Sequence, residues 1–544
     1  MKRKSVVVAL LAMMMSAGMA RAEVNIIPQP TEVKEMGSTF RLADGQTIGY
    51  NDGSLRDAAR YLQEILTRAT GYTVKTRRGA GTFALTLQKP VNEADGSYTL
   101  NVTTQGVVVT AHSYKGVTNA IASIRQLLPA EIESESVVKG YAWTMPTVQI
   151  NDKPTYGWRG LMLDPARHFY SVEETKRFLD HMALYKYNIF HWHLIDSQGW
   201  RIEIKAYPEL ARQGGYRHFF RNIDRDLEAG AREAGDETRL LPKKFLKIEN
   251  GDTLYGGYYT QREIREVVRY AAQRGIDVVP EIDMPGHNYM AESVLPWLSC
   301  HGEPCGEFCL GKESTLKFCK KVYKEIFRLF PYEYVHIGGD EVNRSVWEGC
   351  DFCKKRIADE HLSGTDELQA WFTRTMEQYF NAHGRKLMGW EEILDGGVTK
   401  TATIYWWRGD HPDITQRSTA LGNEVVVCPF SYCYFDYGQD NNTLRNIYEA
   451  DIVPTDLNAN QQKLIRGLQA NIWGEWIPSE ARMEYMTFPR ALAMAEKAWT
   501  PRDRHVWDEF EPRLKAHLHR LDILGINYRR LDSDFPFLSV PMKK

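Results

Sequence analysis

Between residues 158 and 473 the chain repeats one pattern, in which a short apolar or aromatic run is followed by a more polar stretch with helical spacing. Such runs, alternating with amphipathic helices, are typical of parallel strands joined by crossover helices. Eight of them stand in order, at 158–164, 187–196, 276–283, 332–340, 386–390, 401–407, 424–430 and 465–473. They predict an α/β fold, a (β/α)8 TIM barrel.

The regularity of this pattern breaks in two places. From Trp390 to Thr401 the chain hardly has room for the dozen or so residues of a helical crossover. We therefore expect a somewhat distorted barrel in which one crossover helix is missing. A charged insertion, Tyr207 to Leu254, follows the second run; such a loop either borders the active site or forms a mobile surface loop.

The segment before the barrel has a different pattern of apolar and polar residues. TFALTLQ (82–88) and GVVVTAH (106–112) alternate like strands, and LRDAARYLQEILTRATG and KGVTNAIASIRQLLP carry apolar residues at helical spacing. We predict a small α+β N-terminal domain at 23–151, a linker at 151–154, and a catalytic barrel with a C-terminal helical extension at 152–544.

The first 22 residues resemble a signal peptide, with a basic head at residues 2–4, an apolar run and the small residues Ala20 and Ala22. We expect an exported protein, periplasmic or secreted. No later segment reaches about 18 consecutive apolar residues, so we expect no membrane insertion. The 68 basic and 70 acidic residues nearly balance, which argues against a nucleic-acid partner. The oligomeric state stays open, with a homodimer as one option.

Eight cysteines all lie in the second half of the chain. Cys350 and Cys353 form a CxxC motif that could be half of a zinc site or a redox pair. A second CxxC motif is missing, and export permits disulfides. We therefore expect structural disulfides or free structural thiols rather than a metal site.

Polar side chains collect at the carboxyl ends of the eight runs. In a closed barrel these ends converge on one face, where barrel enzymes keep their chemistry. The converging residues are Asp164, Arg167, His191, His193, Asp196, Asp283, His287, His336, Asp340, Glu341, Trp390, Glu391, Glu392, Trp407, Arg408, Tyr434, Asp436, Trp473 and Glu475. We expect Asp196 and His287 to form a hydrogen-bonded pair that supports and tunes the catalytic acid.

Two other interpretations fit some of these residues. His191 and His193, on one face of a strand, could be core histidines. They could also join His287, His336 and Asp340 in a metal-dependent hydrolase, although three tryptophans and an arginine suit such a site poorly. A glycan-binding barrel that has lost catalysis is a third possibility.

Seven ordered motifs resemble glycoside hydrolase family 20, the β-N-acetylhexosaminidases. They are GLMLDPARHF (160–169), HWHLIDSQGWRIEI (191–204), PEIDMPGH (280–287), HIGGDEV (336–342), GWEEI (389–393), YFDY (434–437) and QANIWGE (469–475). The resemblance implies an exo-acting, retaining hydrolase that releases terminal β-linked N-acetylglucosamine or N-acetylgalactosamine from oligosaccharides or glycoconjugates, with no metal and no cofactor.

The resemblance also implies the catalytic roles. The substrate's own 2-acetamido oxygen attacks the anomeric carbon and forms an oxazolinium intermediate. Asp340 orients the acetamido N–H, Glu341 is the neutral acid beside an ionised Asp340, and Tyr434 binds the acetamido oxygen. Gly338 and Gly339 are expected to allow a close approach of the backbone at the mouth of the strand.

The remaining implied roles concern sugar binding. Arg167 is expected to hold the 3- and 4-hydroxyls, and Asp436 and Glu475 to bind further hydroxyls. The tryptophans expected to wall the pocket are Trp390, Trp407 and Trp473, where Trp407 is preferred to Trp406 because it precedes Arg408. The choice between the two sugars, the linkage and the natural glycan are not predicted.

Overall fold

The computed structural model describes residues 24–92, 94–219, 221–440 and 443–531, with only the backbone at 221 and 222. The predicted signal peptide, residues 1–22, lies outside the described residues, as does the end of the predicted C-terminal extension. Among the described residues, no helix combines the length and the apolar character needed to cross a bilayer.

The small N-terminal domain is a mixed seven-stranded sheet in the order β1-β7-β5-β6-β4-β2-β3. Burial alternates along its central strands because only one face is covered by helices α1 and α2. The predicted strands and helices of this region are confirmed to within a few residues. The strands are β1 (Glu32–Arg41), β2 (Thr47–Tyr50), β3 (Lys75–Arg78), β4 (Phe83–Leu87), β5 (Tyr98–Val102), β6 (Val107–Ala111) and β7 (Thr144–Asp152), and the helices are α1 (Arg56–Arg68) and α2 (Tyr114–Leu127).

The larger unit is a closed barrel of eight parallel strands, as the hydrophobic pattern predicts. Five short strands, β10 (Ile195–Asp196), β11 (Gly199–Trp200), β12 (Tyr216–His218), β13 (Leu246–Glu249) and β14 (Asp252–Gly256), lie outside it. The barrel strands are β8 (Trp158–Leu163), β9 (Ile189–His193), β15 (Asp277–Glu281), β16 (Tyr334–His336), β17 (Lys386–Trp390), β18 (Thr403–Trp406), β19 (Glu424–Val427) and β20 (Ile465–Ile472). Each overlaps one of the eight predicted runs.

Helices surround the barrel except at one crossover. Between β17 and β18 the chain forms only a short 3-10 helix, Glu391–Gly396, which confirms that one crossover helix is missing. The helices after the N-terminal domain are α3 (Val172–Leu184), α4 (Glu209–Arg212), α5 (Asp226–Ala234), α6 (Gln261–Gln273), α7 (Tyr289–Val294), α8 (Glu313–Leu329), α9 (Asp351–Asp359), α10 (Thr365–Ala382), α11 (Asp413–Ala420), α12 (Phe430–Cys433), α13 (Thr443–Glu449), α14 (Ala459–Gln462), α15 (Glu480–Thr487), α16 (Arg490–Trp499) and α17 (Trp507–Ile523).

The charged insertion after β9 has structure of its own and packs onto the barrel mouth. It contains α4, α5 and a three-stranded antiparallel sheet in the order β12-β14-β13. Arg217 of β12 is buried, donates to the backbone oxygen of Arg167 at 2.6 Å and pairs with Asp224 at 2.6 Å. The insertion therefore borders the site, which was one of its two predicted placements.

The predicted linker begins too early in the chain. Asn151 and Asp152 belong to β7, and the Asp152 side chain is buried where the sheet meets the barrel. Its carboxylate pairs with Lys186 at 2.9 Å and accepts from the indole of Trp499 at 2.8 Å. A polar Asn-Asp-Lys-Pro sequence indicates a linker when it is exposed, but here three buried donors, from Lys186, Trp499 and Tyr98, hold the aspartate inside the structure.

Candidate active site

The carboxyl ends of all eight barrel strands supply polar or aromatic side chains to one face. Arg167 follows β8, Asp196 follows β9, His287 follows β15, and Asp340 and Glu341 follow β16. The later strands contribute aromatic and acidic residues, namely Trp390 at the end of β17, Trp407 after β18, Tyr434 and Asp436 after β19, and Trp473 and Glu475 after β20. These eleven residues thus lie at the same end of the barrel.

Two glycines turn the chain directly before the acid pair. Gly338 and Gly339 have φ values of +74° and +94°, which glycine adopts without strain. A Cβ atom at Gly338 would lie 1.9 Å from the Oδ1 atom of Asp283, and the backbone N–H of Gly339 donates to that same oxygen at 3.2 Å. This confirms the close approach predicted for the two glycines.

The members of the acid pair differ in their surroundings. Asp340 is 8% exposed, and its Oδ1 atom has no hydrogen-bond partner among the described residues. The Glu341 side chain is 61% exposed, and its backbone has a φ of +50°, which is uncommon for a residue with a side chain. One carboxylate is therefore enclosed with a free acceptor, and the other is open to solvent and to a leaving group.

His287 connects the acid pair to Asp196. Its Nδ1 atom lies 3.4 Å from Asp196, and its Nε2 atom lies 3.5 Å from Asp340 and 3.7 Å from Glu341. Burial would raise the pKa of Asp196, but the charges of Arg167 and His287 hold that pKa far below its usual range. The proximity expected for Asp196 and His287 is present in the structure.

Glu281, the last residue of β15, is the hub of a buried polar network. It lies 2.5 Å from Nδ1 of His193, 3.1 Å from Nε2 of His191 and 3.0 Å from Nδ1 of His336, and it accepts from the indole of Trp390 at 2.8 Å. His193 and Trp390 are hydrogen-bonded to the carboxylate, and His191 and His336 lie close to it, so these side chains form one buried polar cluster.

Asp283 is one of the converging carboxyls for which no role was predicted from the sequence. Burial and the neighbouring charge of Asp340 raise the pKa of Asp283 well above its usual range. A neutral Asp283 would lie against the Gly338–Gly339 turn without adding another negative charge beside Asp340. The hint available in the sequence was the close spacing of two acids, Glu281 and Asp283, at the end of one apolar run.

Four aromatic rings form one continuous wall. Trp407 stacks on Tyr434 with ring centroids 6.1 Å apart, Tyr434 lies 6.1 Å from Trp473, and Trp473 lies 5.6 Å from Trp390. Trp407 is half-buried, and its indole donates to Glu392 at 3.1 Å, whereas Trp406 is buried within β18. The geometry agrees with the choice of Trp407 over Trp406.

Carboxylates around Arg167 fix the direction of its guanidinium. The group pairs with Asp164 at 2.9 Å and Asp196 at 2.7 Å, and it lies 3.5 Å from Glu475. It also lies over the ring of Trp473, at 5.0 Å from the centroid. The guanidinium is thereby oriented on the same wall as the aromatic rings.

Asp436 lies on the same side of the barrel mouth as Glu475. Burial and the charge of Glu475 raise the pKa of Asp436 well above its usual range. Its Oδ1 atom has no hydrogen-bond partner among the described residues. An oxygen of this kind is suited to a ligand hydroxyl.

Comparison with known proteins assigns the family. The model of glycosyl hydrolase family 20, catalytic domain, matches residues 156–502, and that of domain 2 of the same family matches residues 23–153. The chain belongs to glycosyl hydrolase family 20 and is a glycoside hydrolase.

Individual relatives also support the family assignment. The chain is 35% identical over 531 residues to a beta-hexosaminidase of Porphyromonas gingivalis, an alignment that covers 93% of this chain but only 64% of that protein. A beta-hexosaminidase of Vibrio furnissii is 31% identical over 499 residues, covering 87% of this chain and 76% of the relative.

Solved structures share the whole architecture. A family 20 exo beta-N-acetylglucosaminidase of Vibrio harveyi, in complex with N-acetylglucosamine, superposes with a TM-score of 0.80 at 32% identity, covering 94% of this chain and 79% of that one. The Streptomyces plicatus N-acetyl-beta-hexosaminidase, in complex with Thio-NAglucal, has a TM-score of 0.77 at 30% identity, covering 93% and 96% of the two chains.

Proposed function

We propose that the chain is an exo-acting, retaining β-N-acetylhexosaminidase that releases terminal non-reducing β-linked N-acetylglucosamine or N-acetylgalactosamine from oligosaccharides or glycoconjugates. The observation that carries the proposal is the acid pair: Asp340 and Glu341 are adjacent, and only Asp340 is enclosed with an unpartnered oxygen. The complex of the Vibrio harveyi relative with N-acetylglucosamine supports the type of sugar.

Adjacent carboxylates favour a nucleophile that belongs to the substrate. A retaining enzyme with its own nucleophile holds two carboxyl groups about 5–5.5 Å apart on either side of the scissile bond. Neighbouring residues of one chain are poorly placed to straddle a sugar ring. The substrate's acetamido carbonyl oxygen can instead form the bond to the anomeric carbon while the glycosidic C–O bond breaks.

Each carboxylate then has one role in the reaction. Glu341 donates its proton to the departing glycosidic oxygen and later takes a proton from the attacking water, whose oxygen bonds to the anomeric carbon as the oxazolinium ring opens. The free Oδ1 atom of Asp340 accepts the acetamido N–H, and its negative charge stabilises the positive charge of the oxazolinium. Tyr434 donates to the acetamido oxygen.

The remaining residues bind the sugar. We assign Trp390, Trp407 and Trp473 to the walls around the acetyl group and the sugar face, where flat apolar rings exclude water. Arg167, Asp436 and Glu475 bind hydroxyls; a site that holds the hydroxyls of one terminal sugar has no path for a chain beyond it. This supports removal of single terminal residues.

We also propose export from the cell, to the periplasm or the medium. The support is the basic head and apolar run at residues 1–22, together with the small residues that end it. An exported enzyme would meet glycans outside the cytoplasm.

The test compares an aryl β-N-acetylglucosaminide with the matching aryl β-glucoside, each with and without brief exposure to a metal chelator. The proposal predicts turnover of the acetamido sugar alone, with no effect of the chelator. Turnover of both sugars at similar rates would contradict the role of the acetamido group. Loss of activity on brief chelation would favour the metal-dependent alternative at His191, His193 and His287, and binding without turnover would favour a glycan-binding barrel.

A further inference from the structure

Four of the eight cysteines meet beside the loops that carry His287 and the acid pair. Cys300 and Cys309 lie in the segment between β15 and α8. Cys350 is the residue before α9, and Cys353 lies in the first turn of that helix. We call these four residues the thiol cluster. The fold thus supplies a second pair of cysteines for the CxxC motif, although the sequence has no second CxxC.

The spacing within the thiol cluster is that of a tetrahedral metal site. The Sγ atom of Cys309 lies 3.6 Å from the Sγ atom of Cys350 and 3.7 Å from the Sγ atom of Cys353. The Sγ atoms of Cys353 and Cys300 are 3.8 Å apart. All four sulfur atoms lie within 4.8 Å of one another. Four thiolates around zinc at about 2.3 Å would lie about 3.8 Å apart.

The same distances do not correspond to disulfides. A disulfide joins its sulfur atoms at about 2.05 Å and excludes a third sulfur from the bond. Here Cys309 and Cys353 each have two sulfur neighbours at nearly equal distances, so no two residues form an exclusive pair. All eight cysteines are free thiols in the structure.

The surroundings of the thiol cluster suit a buried anionic centre. Its members are at most 8% exposed, and two of them lie at the amino terminus of α9, where the helix dipole favours negative charge. The ammonium of Lys312, three residues after Cys309, contributes a positive charge. The Lys312 ammonium is held by the backbone oxygen of Ser299 at 2.6 Å.

The backbone that follows Cys309 also packs directly against the backbone that precedes Cys353. A Cβ atom at Gly311, two residues after Cys309, would lie 2.1 Å from the carbonyl carbon of Phe352 and 2.4 Å from the backbone nitrogen of Cys353. Only glycine permits this approach without movement of the backbone.

We propose that Cys300, Cys309, Cys350 and Cys353 bind one structural zinc ion. Four sulfur ligands in a tetrahedron select zinc or an iron centre, and zinc is the redox-inert choice. Each thiol releases its proton to solvent as its Zn–S bond forms. With four protein ligands the site has no open position for water, so its role is structural and the hydrolysis does not depend on metal chemistry.

The zinc ion would hold together two loops of the active site. In the segment between the first two ligands, Glu307 accepts from the backbone of Asn343 at 3.2 Å, two residues after Glu341. In the same segment, the backbone oxygen of Gly306 accepts from the backbone N–H of Asn288, the neighbour of His287, at 2.8 Å. The site would thus position His287 relative to the acid pair.

The test begins with the wild-type chain, purified without chelators. Metals are measured by mass spectrometry, and thiols are counted with Ellman's reagent in denaturant containing a chelator. We expect about one zinc ion per chain and all eight thiols. The Cys353→Ser variant should lose most of the zinc and melt at a lower temperature. The Cys319→Ser variant, altered at a buried cysteine of α8 outside the cluster, should keep the zinc.

Several results would overturn the zinc site. For the wild-type chain these are iron in place of zinc, or a metal-free chain whose missing thiols are in disulfides. A chain that has all its thiols and still binds no zinc after incubation with the metal would also overturn it. For the Cys353→Ser variant, the contrary result is a folded protein with the wild-type zinc content. If Cys353→Ser does not fold, the wild-type measurements decide. Hydrolysis of the aryl N-acetylglucosaminide is measured in parallel, because an active chain without zinc overturns this inference and leaves the proposed function intact.

Discussion

The Nε2 atom of His287 lies 3.5 Å from the Oδ2 atom of Asp340. Burial alone would lower the pKa of His287, but the carboxylates of Asp196 and Asp340 raise it well above its usual range. A protonated imidazole would place a positive charge beside the carboxylate of Asp340.

We predict that His287→Gln moves the acidic limb of the kcat/KM profile to higher pH and lowers kcat by about tenfold to a hundredfold. The glutamine keeps a polar group in place but removes the positive charge beside Asp340. The control is His411→Gln, since that side chain is 46% exposed and pairs only with its neighbour Asp410 in the described part of the chain. A lower rate with an unchanged pH profile would mean that His287 acts only by packing.

Variants of the two carboxylates are predicted to respond differently to a better leaving group on the substrate. Both Glu341→Gln and Asp340→Asn should lower kcat by about 10²- to 10⁴-fold on an ordinary aryl N-acetylglucosaminide. A substrate with a dinitrophenolate leaving group needs no proton for cleavage of its glycosidic bond, so it should restore the kcat/KM of Glu341→Gln, which reports that step, and leave Asp340→Asn slow. Rescue of both variants, or of neither, would contradict the division of roles.

Gly338 is predicted to tolerate no side chain. Gly338→Ala places a methyl group against Asp283 in addition to the strain of a positive φ, whereas Gly384, with a φ of +67°, has nothing within 4 Å of the position that a Cβ atom would take. Gly384→Ala should cost about 1 kcal/mol of unfolding free energy and keep its activity. Gly338→Ala should lose most of its activity, because the turn that presents the acid pair must move. Equal activity in the two variants would contradict this account.

The free energy of unfolding is predicted to fall with rising pH because the buried carboxyl of Glu484 loses its proton. Burial raises the pKa of Glu484 from 4.5 to about 7. Between these values the folded state binds more protons than the unfolded state, so the native protein loses up to about 3 kcal/mol as pH rises through this window. In Glu484→Gln, which can still accept from the backbone of Asn527, Tm should decline less between about pH 5 and 8.

The control for this prediction is Glu303→Gln, which alters an exposed carboxyl. Its Tm should follow the wild type across the pH range. A Glu484→Gln variant that loses stability with pH as steeply as the wild type would show that other groups cause the decline.

Much of the fold was predictable because its determinants are local. The eight barrel strands are short apolar runs with turn residues after them, and the missing helix after Trp390 followed from counting residues. The candidate site followed from the same pattern, since strand ends of a barrel converge. Asp152 was misassigned to a linker because its partners Lys186 and Trp499 are distant in sequence.

The features that the sequence did not reveal depend on contacts between distant elements. The role of Glu281 as a hub requires histidines from β9 and β16 to lie beside it. The thiol cluster requires two loops, separated by α8 and β16, to meet at Cys309 and Cys353. Spacing along the chain gives no direct measure of either arrangement.

The central claim is that the acetamido group of the substrate is the nucleophile, and a fluorinated series tests it most directly. Aryl β-glucosaminides carrying N-acetyl, N-fluoroacetyl, N-difluoroacetyl and N-trifluoroacetyl groups are compared by kcat/KM. Fluorine withdraws electrons from the carbonyl oxygen, so the account predicts that the rate falls steeply with each fluorine. A rate that stays nearly constant across the series would show that the acetamido oxygen does not attack, and would contradict the account.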